Sequence, residues 1–437
     1  MASTLANNIL VRASCRACQG ELREVLNLGN LKLNAFPEAT WELEKVPASR
    51  LILVVCRQCG LAQLDRTVPP DWMYRQYWYR SGVNEMMVRE LRAIVQEATQ
   101  LAKIKPGAIV MDIGANDGTL LSMYPKFGCT PHRVAIEPAL NLTGVLKKHA
   151  ETVFPNYFPL EAAESYNGRC AIVTAIAMAY DLEDPRAFFQ ALHDLLAPGG
   201  VAVLQFQDFT EQIHTAAFDN ICHEHLEYYT LWSLTHLFMR TGLTMQRVSR
   251  TPINGGSLRV VLRRAQDGIA GDPSVSAFLA QEAAMGLDTV SIRNGDYRAF
   301  DLFRERVDRA KTQIAAVLHQ AFMDDLVVDV YGASTKGNIL LQVMGLGGDR
   351  IRQAIDRSPE KVGHMTITGI PIVGEEKARE APADIWLTPI WQFRPSVLER
   401  EGWYLEQGGT IIFPLPQVEV MRQTWTAVEQ EGARAGS

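Results

Sequence analysis

Apolar and polar positions along the chain change period several times, and each change marks an element. Asn84 to Lys103 carries Met87, Leu91, Ile94, Ala98 and Leu101 at helical spacing, which predicts an amphipathic helix. Residues 67–106 as a whole read as mostly helical after Pro69 and Pro70, with Asp71 as a cap. From 107 onward short apolar runs alternate with helical patterns. Strands are predicted at 108–112, 133–136, weakly at 152–154, at 171–177 and at 201–207. Helices are predicted at 119–124, 139–149 and 185–196. A helix near 231–241, a strand pair around 253–259 and a strand at 258–263 follow. A Gly, Asp and Pro-rich linker spans 265–275, and a long amphipathic helical region 276–325. The plan then restarts, with a strand at 326–331, a helix at 338–344 and strands at 352–355, 384–388 and 410–413. The alternation predicts an α/β fold with a doubly wound sheet, and the restart predicts a second α/β unit. The expected boundaries are 1–68, 69–264 and 265–437. The tail after Arg422 is polar and expected to fray.

Composition changes this picture little. The 437 residues are 47% hydrophobic and 21% charged, with a net charge of −6. These values suit a globular enzyme on small molecules more than a nucleic-acid binder, which needs a basic face. No apolar run is long enough to span a membrane, and Met1 to Val11 has no charged start before its short apolar run, so a cytoplasmic address is expected. A monomer or weak homo-oligomer is expected.

The seven cysteines change more. Cys15 and Cys18, then Cys56 and Cys59, form two Cys-x-x-Cys knuckles, and Leu51 to Val55 leads into the second as a strand. This spacing suits one tetrahedral Zn²⁺ with four protein ligands, hence a structural metal. Cys129, Cys170 and Cys222 are scattered. A zinc-containing nucleic-acid module is the alternative for this region. Its arginines at 12, 16, 23, 50, 57 and 66 are offset by glutamates at 21, 24, 38, 42 and 44.

Three stretches carry candidate chemistry. The strand ending at Asp112 opens onto Gly114, Asn116, Asp117 and Gly118, and the next strand ends at Glu137, followed by Pro138. A carboxylate at that second strand end can accept the hydroxyls of a ribose. Asp112 would repel a pyrophosphate and suits a cationic ligand, and Ala177, at the end of a neighbouring strand, belongs to the same group. The second Gly-rich turn holds Ser334, Lys336 and Asn338 at a helix start, which suits a diphosphate. Residues 219–230, following strand 201–207, concentrate Cys222, His223, Glu224, His225 and Tyr228. A polar loop, a zinc ligand pair and an acid–base site are all open readings there. Tyr74 to Gly82, with Tyr77 and Tyr79, reads as a connector or as a wall over a ligand.

Taken together, the knuckles, the D-x-G-x-N-D-G-T-L-L run, the Pro-Gly-Gly turn at 198–200, the C-H-E-H-L-x-Y-Y segment, the N-G-G-S-L-R strand and the Y-G-A-S-T-K-G-N turn resemble the sugar C-methyltransferases. The resemblance spans nearly the whole chain. It implies a class I methyltransferase sheet, an N-terminal zinc module and a C-terminal Rossmann-like domain. It implies S-adenosylmethionine as methyl donor and a nucleotide-diphosphate-linked 4-keto deoxysugar as partner, with no nucleic acid or membrane. A base would remove the C3 hydrogen, and the enolate would attack the methyl group. The base falls on His225, with Glu224 orienting it or binding a sugar hydroxyl. Tyr77, Tyr79, Asn254, Ser257, Arg259, Ser334, Lys336 and Asn338 would bind the sugar nucleotide. Two departures stand out. The family carries a tyrosine where this chain has Cys222, and a histidine on the loop that here reads Ala177 to Asp181. A thiol is a poor donor, which leaves Tyr79, Tyr180, Tyr228 or His223 to serve the enolate oxygen. Cys222 as a covalent nucleophile is a lesser reading, because a buried thiol is usually inert. Methylation of oxygen or nitrogen on another small acceptor is the runner-up.

Overall fold

The computed structural model describes residues 8–38, 40–128 and 130–422. The start of the chain, Cys129 and the tail beyond Arg422 lie outside them.

A seven-stranded sheet forms the middle of the molecule. Its spatial order is 243–251, 257–264, 196–207, 170–176, 109–113, 132–136 and 152–154. The last five strands in that order are parallel, and 257–264 is antiparallel to both its neighbours. This is the doubly wound methyltransferase arrangement. Its topological switch lies between 109–113 and 170–176, where a ligand crevice opens at the strand C-termini. The helix Glu85–Ala102 covers one face. Asn84 caps it by accepting from the N–H groups of Met86 and Met87, and Met87, Leu91, Ile94, Val95 and Ala98 are its buried stripe. The opposite face is covered by Pro185–Leu195 and Leu231–Thr241.

A six-stranded sheet in the order 372–373, 354–355, 328–331, 385–387, 410–413 and 419–421 forms the C-terminal part. It is parallel except at its last strand. Its switch point, between 328–331 and 385–387, carries the Gly332 turn. The N-terminal part is a four-stranded antiparallel sheet in the order 227–228, 62–64, 48–56 and 22–32. Its edge strand Glu227–Tyr228 comes from the histidine-rich segment, pairing Glu227 with Gln63 and Tyr228 with Ala62.

Several local expectations are corrected. The helix expected at 119–124 is a 3₁₀ turn, Leu121–Phe127, because Pro125 removes an N–H from any continuing α-helix. The helix expected at 139–149 shrinks to Thr143–Leu146. Residues 67–106 hold only the short helix Asp71–Tyr74, a 3₁₀ turn and Glu85–Ala102. Asp71 lies inside its helix, which Pro70 caps. The long region 276–325 is three helices, Pro273–Ala284, Thr289–Arg293 and Arg298–Met323. Asp272 and Asp288 cap the first two with their side chains. Strand 243–251 pairs with 257–264, so Asn254, Gly255 and Gly256 form the turn, not a strand. The C-terminal helix starts at Thr335 with Ser334 as its cap. No helix among the described residues is long and apolar enough to cross a membrane.

Candidate active site and zinc centre

The four knuckle cysteines converge. Cys15 and Cys59 sulfurs are 3.7 Å apart, Cys18 and Cys56 sulfurs 3.4 Å, and all four lie within 4.8 Å of one another. Four thiolates about 2.3 Å from a tetrahedral Zn²⁺ sit roughly 3.8 Å from each other, so the cluster fits that ion. The N–H groups of Ala17 and Gln58 donate to Cys15 and Cys56 at 3.3 Å, and Gln63 Nε2 donates to Cys15 Sγ at 3.1 Å. Donors aimed at sulfur are what a thiolate–metal centre requires.

A cavity of about 590 Å³ opens at the switch point of the central sheet. One part of it is lined by Asp112, Gly114, Asn116, Glu137, Pro138 and Ala177. Asp112 takes the Thr174 hydroxyl at 2.5 Å, and burial, reinforced by nearby Glu137, pushes its carboxyl up to about 7. Glu137 is anchored by the N–H groups of Asn116 at 2.7 Å and Ala139 at 2.8 Å. These partly offset the burial that raises its pKa. Gly114 has φ +70°, and a Cβ there would meet the Met178 side chain at 2.8 Å, so the turn needs glycine. Asp117 and Gly118 are not among the lining residues. Asp117 instead accepts the Gly82 N–H at 2.8 Å. Asn116 accepts the Ser81 N–H at 2.9 Å and donates to the Tyr79 carbonyl at 3.0 Å. These side chains hold the Tyr79–Gly82 strap over the cavity, and Tyr74, Tyr77, Tyr79 and Ser81 are part of its wall.

Glu224, His225, Tyr180 and Asp181 line the same cavity. His225 Nδ1 lies 3.0 Å from the carbonyl of Asn220. A carbonyl only accepts, so Nδ1 carries the proton and Nε2 keeps its lone pair. Burial, with Lys336 adding to it, lowers the imidazole to about 4 and keeps it neutral. The Tyr180 ring packs on it with centroids 4.4 Å apart. Burial pushes Glu224 up to about 7 against the Cys222 thiol, which donates to it at 3.9 Å. Tyr74 holds the Glu224 carbonyl at 2.7 Å. Asp181, raised by burial and by Glu224 and Glu227, keeps Oδ1 buried without a partner. Sulfur, oxygen and nitrogen of Cys222, Glu224 and His225 also lie within 4.8 Å of one another, a set of three potential metal donors against the four of the cysteine cluster.

Two other residues of this segment sit elsewhere. His223 is buried with Nε2 3.0 Å from the Ser49 carbonyl, and the Tyr228 hydroxyl is buried in the apolar core without a partner. Neither lines the cavity, so neither can donate to an enolate in it. Cys222 does not line the cavity; its thiol donates to Glu224 and its carbonyl takes the His225 N–H at 3.1 Å.

The sugar-nucleotide set divides the same way. Asn254 and Lys336 line the cavity, joined by Thr335, which is outside the expected set, and Lys336 Nζ donates to the Asn254 carbonyl at 2.9 Å. Ser334, Asn338, Ser257 and Arg259 do not. Ser334 caps its helix by accepting from Gly337 N–H at 2.9 Å. Asn338 takes the Ile367 N–H at 3.2 Å, and Ser257 donates to the Ile253 carbonyl. Arg259 points to the sheet face covered by Glu85–Ala102, where it meets Glu90 at 2.7 Å, Glu97 at 2.9 Å and Gln205 at 3.0 Å. Arg259→Ala is therefore expected to lower stability by about 3 kcal/mol by leaving Glu90 without its cation in a poorly solvated place, while Glu97 keeps Arg247 at 3.2 Å. Chemical denaturation should show that loss while KM for the acceptor stays unchanged. Tyr74, Asp181 and Asn220, from stretches singled out in the sequence, also line the cavity, as do Gln207 and Tyr157, which no motif announces.

Comparison with known proteins adds the following. Family models match residues 15–74 as a zinc binding domain, 83–248 as a methyltransferase domain and 252–416 as a C-methyltransferase C-terminal domain. The C-methyltransferase NovU of Streptomyces niveus is 30% identical over 375 residues, covering 85% of this chain and 87% of that protein. Among solved structures, the 1,6-didemethyltoxoflavin-N1-methyltransferase of Burkholderia thailandensis, with S-adenosylhomocysteine bound, covers 42% of this chain and 80% of its own at 14% identity and a TM-score of 0.33. The CcbJ methyltransferase of Streptomyces caelestis covers 40% of this chain and 90% of its own at 16% identity and a TM-score of 0.33.

Proposed function

Because the chain belongs to the family of S-adenosylmethionine-dependent C-methyltransferases with a zinc-binding N-terminal domain, we propose that it methylates C3 of a nucleotide-diphosphate-linked 4-keto deoxysugar. The observation that carries this reading is the state of His225: neutral, proton on Nδ1, and Nε2 free beside a cavity that also holds Asp112 and Glu137. The 4-keto group acidifies the C3 hydrogen. His225 Nε2 takes that proton and the electron pair moves onto the C4 oxygen; as the carbonyl re-forms, C3 bonds to the donor's methyl carbon, the methyl–sulfur bond breaks, and S-adenosylhomocysteine leaves with that electron pair. Glu137 holds the ribose of the methyl donor, and Asp112 lies at the end of the neighbouring strand near its positive charge. Tyr180, whose phenol burial and the neighbouring carboxylates keep protonated, donates to the enolate oxygen. Lys336 and Thr335 face the diphosphate. Methyl transfer from carbon-labelled donor, read by NMR as a new carbon–carbon bond, tests the reading; a label on oxygen or nitrogen contradicts it.

The low basicity of a buried imidazole needs help at the moment of proton transfer. An ionised Glu224 supplies it by offsetting the new positive charge. Glu224 ionises only as pH rises through about 7, whereas His225 is already neutral above about 4. So kcat/KM is expected to climb with pH through about 7. With saturating methyl donor, Glu224→Gln should be slower and that limb should shrink, leaving only what Asp112, also pushed up to about 7, contributes.

A further inference from the structure

We propose that Arg16, between the two cysteines of the first knuckle, is a positioning residue for the base-bearing segment and acts through Glu227. The inference rests on His225 as the base. Arg16 is buried, only 2% exposed. Its backbone N–H and its Nη1 donate to Gln63 Oε1 at 3.0 and 3.3 Å, and the amide of Gln63 donates to Cys15 Sγ. A thiolate sulfur can only accept, so it fixes which way the Gln63 amide faces, and the amide oxygen then seats the arginine. Nη1 and Nη2 are further held by the Leu64 carbonyl at 2.5 Å and the Thr67 hydroxyl at 2.7 Å. What remains is Nε, buried without a hydrogen-bond partner. Glu227 Oε1 is in the same condition, and the two face each other at 3.8 Å, with a Glu183 oxygen 3.6 Å from the same Nε.

Glu227 passes this anchoring on. Its Oε2 takes the Leu182 N–H at 3.1 Å, and its own N–H and that of Leu226 donate to the Tyr180 carbonyl at 3.0 and 2.7 Å. The Tyr180 ring is the one packed against His225. A short line of contacts thus joins the metal thiolate to the imidazole: Cys15, Gln63, Arg16, Glu227, then Tyr180 and His225. Stability alone gives little reason for it, since a buried ion pair is often no better than apolar packing of the same volume. Fixing an imidazole in a cavity is a better reason, because a displacement of about 1 Å can cost on the order of 10²-fold in rate.

The test compares Arg16→Lys, Glu227→Gln, the double variant and His225→Ala in full-length, zinc-loaded protein. The readout is exchange of the acceptor's C3 hydrogen with solvent, measured beside zinc content and S-adenosylmethionine affinity. Arg16→Lys keeps the charge but loses the fork that reaches several acceptors at once. The expected result is a fall in exchange on the order of 10–10²-fold in each single variant, with one zinc per chain and donor affinity unchanged, and no further fall in the double variant. Wild-type exchange in Arg16→Lys and Glu227→Gln would overturn the inference. So would fully additive effects, or a fall that comes with lost zinc or lost donor binding. Exchange that persists in His225→Ala would instead sink the assignment of the base, which separates the two failures.

Discussion

Replacing His225 with alanine is expected to slow methyl transfer by about 10²–10⁴-fold, the usual contribution of a positioned base, while affinity for S-adenosylmethionine stays as in the wild type. The two halves of this expectation have separate structural grounds. The imidazole is held by one bond, from Nδ1 to the Asn220 carbonyl, and the residue lines the cavity. The donor's proposed contacts, Asp112 and Glu137, stand on different strands and are held by Thr174 and by the Asn116 and Ala139 N–H groups, none of which involves His225. Loss of the ring leaves those bonds intact. Calorimetric titration of the donor against the variant, beside its turnover, checks both halves. A variant that turns over within threefold of wild type, roughly 0.7 kcal/mol in barrier, would remove His225 from the mechanism.

Zinc removal is expected to abolish activity, and added Zn²⁺ to restore it. Four ligands supplied by two short turns mean that the free energy of metal binding goes into folding the module, on the order of 10–16 kcal/mol in isolated zinc-finger peptides. In most enzymes with a structural metal the consequence would stop at stability. Here the strand Glu227–Tyr228 lies on the edge of the zinc module's sheet, and the Leu64 N–H donates to the Leu226 carbonyl at 2.9 Å, one residue beyond His225. A module that loosens takes the segment bearing His225, the proposed base, with it. Cys59→Ser should behave as the chelated protein does, with zinc quantified alongside turnover. Full activity in zinc-free protein would show that the module is dispensable for chemistry.

What could be read from the chain, and what could not, follows from the range of the interactions. The four cysteines were legible because each pair is a single turn and its spacing is local. Gly114 was legible because only a glycine turn lets the chain pass so close to Met178. The methyltransferase sheet was legible because its strands and helices change period cleanly, whereas 119–127 misled because Pro125 breaks a pattern that is otherwise helical. Arg259 and Ser257 were misassigned for a different reason. In a strand, neighbours point to opposite faces, and the register that turns Arg259 toward Glu90 and Glu97 is a property of the pairing with 196–207, not of the N-G-G-S-L-R string. Asp117 looks like a ligand residue but lies outside the cavity and holds the Tyr79–Gly82 strap, whereas Asn116 both holds the strap and lines the cavity. Gln207 and Tyr157 enter the cavity through chain geometry alone. The union of residues 227–228 with 62–63 is a contact across more than 160 positions, made by a strand only two residues long. No local pattern encodes it, and it is the contact that ties the metal to the chemistry.

The central claim is that His225 makes a carbanion at C3 of a keto sugar, and hydrogen exchange tests it most directly. Incubated in deuterated water with a nucleotide-diphosphate-linked 4-keto deoxysugar and no methyl donor, the wild-type protein should wash deuterium into C3, and His225→Ala should not. Absence of exchange in the wild type, or equal exchange in both proteins, would contradict the account.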